Sequence, residues 1–177
     1  MHVLGSPVSD DKLIYHEKDN TFNPHMYKSK SGEYIFIASV STLSSEVRFF
    51  SADNPGAPPR LIQKRGEDYE YSVSHRGGYF YILTNLKAEN FRLMKAPVET
   101  PSREHWQPLI PHREDVLLNG VELFDDYTVL SERRDGLRTI RIIEAKSGKD
   151  YYLDFDEDAY TAYISTNREM DTTILRF

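Results

Sequence analysis

Six histidines are the residues of this 177-residue chain that most invite a metal-site reading. His16 and His25 stand nine apart, and His105 and His112 seven apart. Neither interval is a recognised zinc-ligand spacing, so surface or hydrogen-bonded core histidine is the simpler expectation. A nucleophile elbow needs Gly-x-Ser-x-Gly on a strand-to-helix turn. The chain has none, and Ser31 and Ser147 each precede a glycine in what reads as a hairpin turn. No glycine-rich phosphate loop of the P-loop or dinucleotide kind is present. Carboxylates gather at Asp10-Asp11, at Asp125-Asp126 and at Asp154, Asp156, Glu157 and Asp158. Such groups can move protons or bind Ca²⁺, but no EF-hand spacing occurs and Asp is a preferred turn residue. Lys28-Ser29-Lys30-Ser31-Gly32 and Arg133-Arg134-Asp135-Gly136 are too short for basic patches and read as hairpin tips. Trp106, near Pro108 and Pro111, could form a ligand shelf, although packing in an outer strand explains it more simply. Local chemistry therefore assigns no catalytic, cofactor-binding or metal residue, and calls for no cofactor.

The elements that would position any such residue follow a repeat. Gly32-Glu33-Tyr34-Ile35-Phe36-Ile37-Ala38 recurs as Gly77-Gly78-Tyr79-Phe80-Tyr81-Ile82-Leu83 and as Asp125-Asp126-Tyr127-Thr128-Val129-Leu130. The anchor tyrosines are 45 and then 48 residues apart. Short β-rich runs between turn signals, without apolar spacings of three and four, point to strands. A second run follows each tyrosine: Glu46–Phe50, Asn90–Met94 and Leu137–Ile143. A closing run follows at Arg60–Ile62, Gln107–Ile110 and Tyr151–Leu153. Entering runs are expected at Leu13–Tyr15, Tyr69–Val73 and Val121–Phe124.

Four strands per unit at this period are a propeller blade. The expected fold is all-β, with antiparallel four-stranded blades forming about half of a seven-bladed ring. Residues 1–10 are expected to end a preceding blade. Blades then span 11–65, 66–111 and 112–155, and 156–177 starts a further one through Ala159–Ile164 and Thr173–Phe177. Beginning and ending within a unit suggests a piece of a longer ring whose outer faces neighbours would bury.

Bulk composition limits the partners. A net charge of −6 and a pI near 5.5 disfavour nucleic acid and anionic membrane surfaces. With no cysteine there is no disulfide framework and no thiolate nucleophile, which suits a reducing, cytoplasmic setting. No secretory leader and no apolar run of membrane-spanning length is expected.

A family likeness rests on several motifs in order. They are Gly5-Ser6-Pro7 through Asp11–Asp19, Thr42–Arg48, Glu70-Tyr71-Ser72-Val73, Tyr79–Asn85 with Ala88–Leu93, Leu109–Glu114 and Ser131–Leu137. Together they resemble the prolyl oligopeptidase family of serine peptidases, in its oligopeptidase B branch. The resemblance implies a propeller capping an α/β-hydrolase domain of the same parent chain, with a Ser-Asp-His triad absent from these 177 residues. It also implies short basic peptides, cut after Arg or Lys, as substrates of the parent. The alternative is a free-standing β-propeller or β-sandwich interaction module without an enzyme. Exposed blade edges would allow self-association in either case.

Overall fold

The computed structural model describes residues 1–157 and 159–177. Twelve strands form three four-stranded antiparallel sheets. The first contains β1 (Asn23–Lys28), β2 (Tyr34–Val40), β3 (Ser45–Ser51) and β4 (Arg60–Gln63). The second contains β5 (Tyr71–Arg76), β6 (Tyr79–Thr84), β7 (Arg92–Pro97) and β8 (Gln107–Ile110). The third contains β9 (Val116–Leu123), β10 (Tyr127–Arg134), β11 (Leu137–Glu144) and β12 (Asp150–Tyr152). Every sheet is a meander in which sequence neighbours pair.

The three anchor tyrosines each open the second strand of a sheet. Turn chemistry sets the register behind them. Arg134 pairs with Leu137 across Asp135 and Gly136, both at positive φ (50° and 82°). That is the backbone a two-residue primed hairpin turn demands.

Strand alternation sends side chains to two faces, and the faces stack. Phe36, Val47, Phe49 and Ile62 of the first sheet meet Tyr71, Phe80, Ile82 and Met94 of the second. Phe80 is fully buried, with Phe49 4.7 Å and Phe36 5.6 Å away between ring centres. The opposite face of the second sheet, with Tyr81 and Leu93, packs on Leu118, Leu123 and Leu130 of the third. The third sheet's far face, with Val129, Ile140 and Ile142, is covered by Phe155, Tyr160, Ala162 and Leu175 of the final segment.

Three expectations need correction. The first entering strand is Asn23–Lys28, not Leu13–Tyr15. Its Pro24 and exposed side chains hid it, yet β1 is an edge strand, where a missing N–H is tolerated. Ala159–Ile164 and Thr173–Phe177 form no ladder. They approach each other instead: the Ser165 amide donates to the Arg176 carbonyl at 2.9 Å, and Asn167 bonds both polar groups of the Arg176 backbone. Residues 1–10 hold turns and a 3₁₀ turn at Val8–Asp10 rather than a strand.

Candidate functional site

The second sheet sits between the other two, because its β5 lies against β3 on one side and β9 on the other. The hairpins joining first and second strands gather at one end, as the contacts between them show. They are Ser29–Glu33, Gly77-Gly78 and Phe124–Asp126.

Side chains lace these tips together. Arg76 donates to the carbonyls of Phe124 and Tyr127 at 2.8 and 3.0 Å and to the Tyr81 hydroxyl, tying the second sheet to the third. Lys30 crosses further. Its Nζ lies 2.5 Å from Glu122 Oε1 and 3.6 Å from the Phe124 ring centre, so the first sheet reaches the third past the second.

Ser31, His75 and Glu33 meet at the same end, a grouping that sequence spacing does not disclose. Ser31 Oγ lies 2.8 Å from His75 Nδ1, and Glu33 Oε1 lies 3.7 Å from the same nitrogen. This is no catalytic triad, since serine and carboxylate crowd one ring nitrogen and the ring is sealed from solvent. Burial pushes the His75 pKa down, and the Glu33 carboxylate only partly opposes this. Tyr34 and Phe80 pack edge-on against the ring.

Two ionic clusters lie elsewhere. Arg65 pairs with Glu17 at 2.5 Å and Glu46 at 3.6 Å while its guanidinium covers the Phe22 ring, fastening the N-terminal arm. Burial alone pushes the Glu17 carboxyl up. Hydrogen bonds from Arg65, Ser39, the Asp19 amide and Tyr15 outweigh it and hold the pKa at about 2. On the third sheet, Glu132 is wholly buried and bonded by Arg113 and by the Tyr152 hydroxyl, with Arg141 alongside. Sequence gave no warning of this carboxylate, because its partners come from a link and two further strands.

The residues singled out by type are scattered. His16, His25 and His105 are exposed and His112 is half-buried; His16 and His25 both border the cleft under the N-terminal arm, and the other two lie apart from it. Among the described residues no three metal-ligating side chains converge. Asp11 accepts from or donates to His2 Nδ1 at 2.7 Å according to protonation, and Asp126 pairs with Lys146. Asp125, Asp154, Asp156 and Glu157 are exposed, while Asp158 lies outside the described residues. Trp106 is buried against Tyr71 and donates to the Pro101 carbonyl at 2.8 Å, which is packing rather than a shelf.

A cleft of about 690 Å³ lies between the arm and the outer face of the first sheet, lined by Leu13, Ile14, Met26, Ile35, Ile37 and Phe50. It is the apolar flank of that sheet.

Known proteins share this arrangement. The family profile described as "Prolyl oligopeptidase, N-terminal beta-propeller domain" matches residues 1–177. Dipeptidyl aminopeptidase BI of Pseudoxanthomonas mexicana is 39% identical over 99% of the chain, and Protease 2 of Moraxella lacunata is 33% identical over 97%. In both cases the chain spans 24% of the relative's length. Oligopeptidase B from Trypanosoma brucei, in a closed form with covalently bound antipain, superposes with a TM-score of 0.90 at 26% identity. That match covers 99% of this chain and 26% of the solved one. Three stacked four-stranded meanders, matched along their whole length, are propeller blades, and the chain belongs to the prolyl oligopeptidase family as part of its N-terminal β-propeller domain.

Proposed function

We propose that this chain forms part of the gate and cavity wall of an oligopeptidase B-like serine endopeptidase. The parent's α/β-hydrolase domain would lie outside these 177 residues, and the parent would cleave short peptides after Arg or Lys. The observation that carries the reading is the match to oligopeptidase B across 99% of the chain. A free-standing module is the weaker alternative, since the relatives named above are about four times as long.

Physically, a wall of packed sheets excludes folded proteins by size, and the net charge of −6 modestly favours basic peptides. The 39% identity to a dipeptidyl aminopeptidase supports a second reading, release of N-terminal dipeptides. The lack of cysteine accords with a cytoplasmic enzyme, which cell fractionation tests.

The parent protein, produced from its gene, separates these readings. Its substrates are an N-terminally blocked peptide with an internal arginine and the same peptide with a free amine two residues before the cut. The expected result is cleavage of both after arginine, while the 177-residue chain cleaves neither. Cleavage of the free-amine substrate alone would establish the second reading. Indifference to arginine in both substrates would overturn the proposed specificity.

A further inference from the structure

We propose that Glu122 and Phe124 form a binding site for a basic side chain, which the chain's own Lys30 fills in this state. This deepens the peptidase reading and rests on it for the identity of the incoming peptide. A carboxylate beside an aromatic face is a cation receptor, since the charge attracts the cation and the ring quadrupole attracts it again. Here the ammonium sits 2.5 Å from the carboxylate and 3.6 Å from the ring centre.

Three features distinguish this contact from ordinary packing. Lys30 reaches it from a hairpin tip, outside β1 and β2, so its withdrawal breaks no ladder hydrogen bond. Its Nζ has no hydrogen-bond partner but Glu122 among the described residues. The pair also lies among the hairpins where Arg76 ties the second sheet to the third, so all three sheets meet beside it.

An arginine suits this receptor better than Lys30 does. Its planar guanidinium stacks on a ring while forking onto a carboxylate, whereas an ammonium meets the pair as a point charge. A peptide arginine therefore displaces Lys30 and frees the β1–β2 tip from the third sheet. The wall thus holds an internal competitor that weakly bound peptides must overcome.

Backbone amide shifts of the isotopically labelled chain, titrated with N-acetyl-Ala-Arg-Ala-amide, test the site. Shifts should cluster at residues 122–126 and 28–33. Lys30→Ala should tighten binding about tenfold, and Glu122→Gln added to it should remove that gain. The citrulline analogue, isosteric but neutral, should not bind. If Lys30→Ala does not fold, Lys30→Met removes the charge while keeping the stem. Equal affinity with and without Lys30, or equal binding of citrulline, would overturn the site. No turnover enters this readout, so a parent enzyme that cleaves basic peptides could survive its failure. Equally, arginine binding would stand even if the parent proved to be no peptidase.

Discussion

Glu17 shows how much one side chain can depend on its neighbours. It sits on an arm without strand pairing, yet its side chain is only 8% exposed. The unfolded chain takes up this proton near pH 4.5 and the folded one near 2. The carboxylate therefore contributes fully to stability above pH 4.5, and the contribution is lost as pH falls toward 2. Carbon-detected NMR of the Glu17 carboxyl should show a midpoint near 2, moving toward 4.5 in Arg65→Ala. A wild-type midpoint already near 4.5 would mean that the arm is not fastened in solution. His75 carries the opposite lesson. Its neutral ring is retained by burial, and its nearness to a serine and a glutamate makes it part of the packing between two hairpin tips.

At the scale of the strand, Phe80 joins the first two sheets. It is 0% exposed and packs on Tyr34, Phe36, Phe49 and His75. Phe80→Ala should cost about 3–5 kcal/mol and lower the thermal midpoint by roughly 10 °C. Its neighbour Tyr79 is 42% exposed, and Tyr79→Ser should cost less than about 1 kcal/mol. Calorimetry of both variants checks the contrast; equal losses would contradict the inward and outward assignment along β6. The second, third and fourth strands of each sheet were legible because apolar alternation and turn residues, glycine or aspartate, repeat with the tyrosines. β1 was not legible, since an edge strand with exposed Asn23, Pro24, His25 and Met26 carries no burial pattern. The lacing of Lys30 to Glu122 was equally hidden. Those residues are 92 apart, and only the meeting of the sheets brings them together.

At the scale of the molecule, the two flanks differ. The third sheet is covered by the final segment, while the first leaves its 690 Å³ apolar cleft beneath the arm. Exposed Val3, Leu4, Val8, Leu13, Met26 and Leu43 lie on or near the arm. Exposed apolar surface and unpaired strand edges favour association. Sedimentation of the isolated chain should therefore give a mass that rises with concentration. The double variant Leu13→Lys, Met26→Lys should hold it to the monomer, and a concentration-independent wild-type mass would refute the expectation.

The two junctions between sheets also differ in chemistry. The first is an aromatic and aliphatic stack, whereas the third sheet's side of the second includes the Glu132, Arg113 and Arg141 cluster. Hydrophobic cohesion fades on cooling, whereas the cost of stripping water from buried ions falls on warming. Cold therefore loosens the oily joint, while warming lowers the cost of keeping the charged one dry. The seam between the first two blades is the one that cold opens first.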